Sequence, residues 1–349
     1  MELKMDWKAF AKAVKFASKT LPKGNIKPEL KGFIFDSRKL MTTDLDRSTV
    51  VEMEAEVTEE GKFMLPAEPI LNLAKLNYNE IAFKQTSENA VEVVTDKGRY
   101  KLHTMEIPEL PAFEIPKGTN ITLNTTDFLD AVRSVIYAAA KDPYVRNLWG
   151  VCFEASDGNL TIVATDGFRL AKQELEVEVD GTFQFICPRH AVEAMLTILE
   201  ETSEAFVNLM YDGRKLAFKV DGITFITHLV NEAFPNYKHV ISTVPKTRVK
   251  LNKSELLLCV RSALVVGGYI LFEIDGSFQV SAQSPEKGEF ASEIDAEIEG
   301  DGIVIGFNPA FIHDALKHIE DEDITLEFAG TDKPCFIQKN HVVMPVRLS

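Results

Sequence analysis

The sequence predicts an α+β protein built from three copies of one unit. Three observations carry this. The stretches GKFMLPAEPILNLAKL (61–76), GTFQFICPRHAVEAMLTIL (181–199) and DGIVIGFNPAFIHDALKHI (301–319) each pass from a glycine through a short alternating strand to a proline and a helix of about ten residues. Their prolines, Pro66, Pro188 and Pro309, lie 122 and 121 positions apart. Each stretch is also preceded by a helix and followed by strand hairpins, and a shared period of about 120 residues is a domain duplication, since solenoid repeats run about 20–50.

Taken in order, the first unit opens on the helix MDWKAFAKAVKFASK (5–19), whose Phe10, Ala13, Val14 and Ala17 share one face. The turn TTDLDRST (42–49) joins two alternating runs. The first strand–proline–helix follows, its proline tolerated in a helical first turn, where the amide has no intrahelical partner. EIAFKQTSENAVEVVTDKGRYKLHT (80–104) then reads as strands broken at Ser87-Glu88-Asn89. The second unit repeats this order. Its helix NTTDFLDAVRSVIYAAAKD (124–142) has an N-cap candidate in Thr125 or Thr126, and ATDGFRLA (164–171) is a fuller version of the earlier turn, 122 positions on. Hairpins over 205–230 turn at Asp212-Gly213 and Asp221-Gly222. The third unit has the helix NKSELLLCVRSALVV (252–266), capped by Ser254 or Asn252, and final strands over 323–348 that turn at Gly330-Thr331-Asp332. IPKGTN (115–120) and STVPKTR (242–248) read as joints, giving segments 1–118, 119–244 and 245–349.

Of 349 residues, 45% are hydrophobic and 26% charged, the composition of an ordinary soluble globular protein. No stretch approaches the roughly 20 apolar residues of a membrane span, and the N-terminus lacks a signal-peptide core, so a cytoplasmic location without membrane contact is expected. Cys152, Cys187, Cys259 and Cys335 fit no metal or redox spacing and lie in apolar segments. Catalytic constellations are poor. Cys187-Pro188-Arg189-His190 straddles a strand-to-helix joint that recurs in the other units without thiol or imidazole, and the acidic run Glu320 to Asp323 reads as a solvated helix end. No glycine-rich phosphate loop is present. No catalytic residue, metal or cofactor is expected.

The net charge of −15 argues against nucleic acid until the positions of the cations are considered. Lys8, Lys12, Lys15 and Lys19 are spaced by four, three and four residues, within an arc of about 60° on a helix. In the second unit Arg133, Tyr137 and Lys141 share the matching face with Asp130, and in the third only Arg261 does. A lysine stripe is commonly just a solvated face. Three like helices, however, could turn basic faces to one side and hold a phosphate backbone without reading bases. A repeat scaffold that binds only proteins is the alternative.

VATDGFRLA (163–171), FPNYKHVI (234–241) and the C-terminal VVMPVRL (342–348), on a threefold repeat covering the whole chain, resemble the bacterial DNA polymerase III β subunit family, the sliding clamps. The resemblance implies three repeated clamp domains, each with two helices packed on antiparallel sheets. It further implies a head-to-tail dimeric ring whose helices line a hole for duplex DNA. Such a clamp tethers the replicative polymerase, is opened by an ATP-using loader and performs no chemistry. An apolar pocket would dock short linear motifs of polymerase, clamp loader and repair proteins. Carried onto this sequence, it is lined by Leu148, Thr165, Gly167, Phe168, Arg169, Leu170, Pro235, Val240, Val342, Val343, Met344, Pro345, Val346 and Arg347. Arg169 could instead form a structural pair with Asp166, and Met344 and Pro345 could belong to an ordinary last strand. Phe168 stands where the family commonly has histidine. TTDLDRST would be the same turn without a pocket. DNA contacts would come from Lys12, Lys15, Lys19, Lys23, Arg133, Lys141, Arg146 and Arg261, and the dimer contact from Tyr100 and Leu102 facing Leu264 and Val265.

Overall fold

The computed structural model of the chain describes residues 1–349 except positions 23, 25, 26, 111, 112, 157, 180 and 349. The first repeat runs β1 (Glu2–Asp6), α1 (Trp7–Ala17), β2 (Gly32–Asp36), β3 (Lys39–Thr43), β4 (Arg47–Glu52), β5 (Ala55–Glu59), β6 (Lys62–Pro66), α2 (Ala67–Leu73), β7 (Glu80–Ser87), β8 (Ala90–Thr95) and β9 (Gly98–His103). The second runs β10 (Thr119–Asn124), α3 (Thr125–Ile136), β11 (Gly150–Ser156), β12 (Asn159–Thr165), β13 (Arg169–Glu176), β14 (Phe183–Pro188), α4 (Arg189–Leu199), β15 (Phe206–Tyr211), β16 (Lys215–Val220) and β17 (Ile223–His228). A short helix α5 (Lys238–Ile241) precedes the third, which runs β18 (Thr247–Asn252), α6 (Lys253–Val266), β19 (Ile270–Ile274), β20 (Phe278–Ser284), β21 (Gly288–Ile294), β22 (Ala296–Gly300), β23 (Ile303–Phe307), α7 (Pro309–Lys317), β24 (Asp323–Phe328), β25 (Cys335–Ile337) and β26 (His341–Val343).

Each repeat therefore opens on a strand, β1, β10 or β18, and not on a helix. Each runs straight into its helix with no loop to separate the two. The caps explain where the helices begin. Asp6 Oδ1 accepts from the amides of Lys8 and Ala9 at 2.8 and 3.1 Å. Asn124 Oδ1 accepts from Thr126 and Asp127 at 3.0 and 3.1 Å, so the cap of α3 is Asn124 and neither threonine. Asn252 caps α6 through Glu255 N at 3.2 Å, and Asn308 caps α7 through Ala310 N at 2.9 Å. Each such cap contributes about 1 kcal/mol. Of the three repeat prolines, Pro309 alone occupies a helical first turn; Pro66 and Pro188 end β6 and β14.

Every strand pairing is antiparallel, and two sheets run through repeat boundaries. One has the order β10-β15-β16-β17-β4-β3-β2-β6, with Ile223 opposite Val51 and Thr227 opposite Arg47. The other has the order β14-β11-β12-β13-β26-β25-β24-β18-β22, with Arg169 opposite Val343. The remaining sheets are β5-β1-β7-β8-β9 and β21-β20-β19-β23, which leave β9 and β21 as edge strands. The shared sheets group contacts into two compact units, Met1–Leu129 with Val177–Asp180 and His190–Leu229, and Asp130–Glu176 with Gly181–Arg189 and Val230–Ser349.

The first unit packs Phe35 against Phe63 and Phe83 (5.0 and 4.9 Å between ring centres) and Phe10 against Phe83 at 5.5 Å. In the second, Phe307 lies 5.4 Å from Phe272 and 6.4 Å from Phe328. Asp221 and Gly222 both take positive φ, the geometry of a two-residue hairpin turn matched to strand twist. All four cysteines are free and buried; burial pushes the Cys152 thiol up to about 12 and raises Cys187, Cys259 and Cys335 as well. Among the described residues no cluster of three or more His, Cys, Asp or Glu side chains could hold a metal, and no helix is long and apolar enough to cross a membrane.

Candidate functional site

The turn between β12 and β13 is built by its own polar side chains. Thr165 Oγ1 donates to Arg169 O at 2.6 Å and accepts from Gly167 N at 3.1 Å. Asp166 Oδ1 accepts from the amides of Phe168 and Arg169, both at 3.0 Å, while Oδ2 accepts from Arg169 Nε at 2.9 Å. The turn between β3 and β4 repeats this bond for bond. Thr43 Oγ1 donates to Arg47 O at 2.8 Å and accepts from Leu45 N at 3.0 Å; Asp44 Oδ1 accepts from Asp46 N and Arg47 N at 3.1 and 2.7 Å, and Oδ2 from Arg47 Nε at 3.0 Å. The residue after the aspartate has φ 89° at Gly167 and 77° at Leu45, a left-handed geometry that only the glycine adopts without strain. Each turn starts the strand that receives the last strand of the next repeat, β4 receiving β17 and β13 receiving β26. That shared duty is why the chain writes the motif twice. An open hollow of about 910 Å³ lies beside the first turn, lined by Arg47, Lys19, Lys31, Lys75, Met105 and His190 among others, a basic lining unlike the apolar surface around Phe168.

Arg169 is 5% exposed and sits among aromatic rings. Its guanidinium carbon lies 4.7 Å from the centre of Phe311 and 5.3 Å from that of Tyr137, and Nη1 donates to Asp314 Oδ2 at 2.6 Å. Tyr137 stacks on His318 at 4.7 Å and shares a 3.0 Å hydrogen bond with His341 Nδ1. Burial, helped by the neighbouring His318, drives His341 down to about 4; burial also lowers His318 and raises the Tyr137 hydroxyl. The Asp166 pairing of Arg169 is thus real, and the sequence missed the rest of the cluster. Tyr137 in particular is buried beyond the end of α3 and is not on a basic helix face.

Around this cluster the structure brings together most of the expected pocket residues. Thr165, Arg169, Leu170, Val342 and Val343 are buried and form its frame, with Leu170 opposite Val342 in the β13–β26 register. Leu170 and Val342 pack in one core cluster with Phe234 and Tyr237, which flank the exposed Pro235. Met344 N donates to Phe168 O at 2.8 Å, and Leu148 Cδ1 lies 4.0 Å from where a side chain on Gly167 would begin. The surface left open consists of Phe168 at 63% exposure, Pro235, Val240 on α5, and half-buried Leu148, Met344 and Pro345. The tail then departs: Val346 N donates to Gly306 O of β23 at 2.8 Å, and Arg347 is exposed. Phe311 and Asp314, three residues apart on α7, gave no sequence signal, because they meet a turn about 145 positions away.

Family models match nearly the full length: the DNA polymerase III beta subunit N-terminal domain over residues 1–114, its central domain over 122–236 and its C-terminal domain over 243–347. The chain belongs to the DNA polymerase III beta subunit family. The Beta sliding clamp of Chlamydia pneumoniae is 27% identical over 326 residues, covering 90% of this chain and 88% of that relative. The Beta sliding clamp of Streptomyces coelicolor is 25% identical over the whole of both chains. The DNA polymerase III beta subunit of Thermotoga maritima superposes with a TM-score of 0.94 at 30% identity, covering 100% of both chains. A sliding clamp of Pseudomonas aeruginosa bound to griselimycin shares the fold, with a TM-score of 0.92 at 22% identity over 100% of both chains. With the family comes the function. The protein is a DNA sliding clamp, a non-catalytic processivity factor of replication with the three-domain α+β clamp fold, and no enzyme.

On a sliding clamp the cations matter, and the structure sorts them. Lys8, Lys12 and Lys15 are exposed on α1, whereas Lys19 belongs to the 3-10 turn Ser18–Thr20 and is half-buried, which shortens the stripe. Lys15 is paired with Glu201, and Arg133 lies 3.3 Å from Asp130. Lys141, Arg146 and Arg261 are exposed with no ion pair among the described residues; Lys23 lies outside those residues. Tyr100 and Leu102 are half-buried on edge strand β9, Tyr100 bonding the Tyr78 hydroxyl at 2.7 Å. Leu264 and Val265 are 39% and 77% exposed on α6. Leu258, 67% exposed on the same helix, escaped the sequence reading.

Proposed function

We propose that two copies of this clamp close head to tail around duplex DNA, which they hold without sequence preference. The observation that carries this is the repeated joint. Twice within the chain, the third strand after a repeat's first helix pairs with the last strand of the following repeat. The same two strands remain as unpaired edges, β21 in the third repeat and β9 in the first. An edge strand is a template for another chain, and a heterologous contact that closes makes a ring. The joint would unite β9, with Tyr100 and Leu102, and the β21 side of a second copy, where Leu264 and Val265 are exposed. Domains over 1–118, 119–244 and 245–349 then supply six modules per ring. Lys12, Lys15, Lys19, Lys23, Arg133, Lys141, Arg146 and Arg261 would meet phosphates, weakly and without reading bases.

The open surface around Phe168, Pro235, Val240, Leu148, Met344 and Pro345 would dock short linear motifs of the replicative polymerase, the clamp loader and repair proteins in the cytoplasm. Its support is chemical: a methionine, two prolines and aliphatic side chains give an adaptable apolar site on a rigid sheet joint.

Loading the protein with a clamp loader onto nicked circular DNA, and then linearising the circle, tests the ring. The protein should stay on circles at high salt and leave once the DNA has ends. A protein that grips by about 6–10 phosphates would instead lose about 10³–10⁵ in affinity between about 50 and 200 mM salt, whatever the DNA topology. Salt-sensitive binding indifferent to linearisation would overturn the proposal.

A further inference from the structure

We infer that Phe168 and Phe311 form a subsite for a planar cation, the guanidinium of an arginine flanking the apolar motif of a docked partner segment. The inference rests on the peptide-docking reading above and specifies its partner chemistry. Phe168 is 63% exposed, at the tip of a turn whose every backbone donor is satisfied, so the ring is held out on a fixed support. Its plane lies 24° from that of Phe311, with centres 6.4 Å apart. Phe311 already receives a guanidinium, that of Arg169, with the carbon 4.7 Å from the ring centre. The molecule thus uses this recognition once internally, beside an aromatic face left open to solvent.

Local charge selects the occupant. Arg169 is compensated by two carboxylates, Asp166 at 2.9 Å and Asp314 at 2.6 Å, so its own charge does not repel a second cation beside it. An exposed ring face attracts a cation through its quadrupole, and arginine more often than lysine, because the weakly hydrated planar group stacks. An acidic side chain at the same place would meet the partly exposed Asp314 and the negative ring face. An uncharged ring would gain stacking and nothing from the field.

The test uses the full-length protein and three fluorescein-labelled peptides, Gly-Arg-Ser-Leu-Ala-Leu-Leu-Arg-Gly and its versions with both arginines replaced by citrulline or by glutamate. Citrulline keeps the planar shape and loses the charge. Fluorescence polarisation should show the arginine peptide binding about two- to fivefold more tightly than the citrulline peptide, and the glutamate peptide most weakly. The arginine–citrulline difference should vanish in Phe168→Ala and shrink in Phe168→Leu, which keeps apolar area without a quadrupole, and persist in Phe168→Tyr. Equal affinity for arginine and citrulline peptides, or a difference unchanged in Phe168→Ala, overturns the subsite and leaves the docking surface standing. Failure of all three peptides to bind overturns the docking surface and the subsite together.

Discussion

Arg169 is held by five separate groups, Asp166, Asp314, Phe311, Tyr137 and its own backbone turn, and its fixed position sets the joint between β13 and β26. Behind it, His341 is neutral in the fold, its proton affinity lowered from 6.5 to about 4 chiefly by burial. Unfolding returns that histidine to water. Between pH 6.5 and 4 the unfolded chain therefore binds a proton that the folded chain refuses, and stability falls as pH drops through this window, by up to about 3 kcal/mol. Half-buried His318, also lowered, adds in the same direction. Urea unfolding from pH 7 to pH 4.5 should show this decline, and His341→Gln should be less stable at pH 7 yet fall less steeply; parallel slopes would refute the assignment. At this scale the sequence displayed Thr165, Asp166 and Arg169, because their bonds lie within a five-residue turn. It concealed His341, Phe311 and Asp314, whose role depends on segments that meet only after folding.

Among the elements, repeat order was legible because glycine, strand, proline and helix recur with one spacing. Strands β1, β10 and β18 were not, since each runs directly into its helix with no loop between them. Strand sharing across repeats was also hidden, because pairing partners such as Ile223 and Val51 lie far apart and hydrophobic alternation does not name a partner. The proposed dimer contact belongs to this scale. Val265 is 77% exposed on α6, so Val265→Asp should leave the fold intact while placing a charge against the edge of β9 in a second copy. Light scattering at low concentration should give twice the 39.0 kDa chain mass for the natural protein, and the substitution should weaken the dimer about tenfold or more. An unchanged dissociation constant would place the contact elsewhere.

For the molecule as a whole, the proposed ring, by enclosing DNA, would separate retention from attraction. Lys12→Glu combined with Arg261→Glu should lower loading at low salt, through lost steering, yet leave the lifetime on closed circles unchanged. A shortened lifetime on circles would mean that grip, and not closure, retains the protein. The buried cysteines give a final practical consequence. Maleimide dyes attack thiolates, and Cys152, its thiol pushed up to about 12 by burial, is scarcely ionised at pH 8. The other three are also raised by burial. Tyr144→Cys, at a position 91% exposed, would thus accept a fluorophore almost alone, without prior removal of the native thiols. Single particles could then be watched diffusing along stretched DNA, the native chain serving as its own dark background.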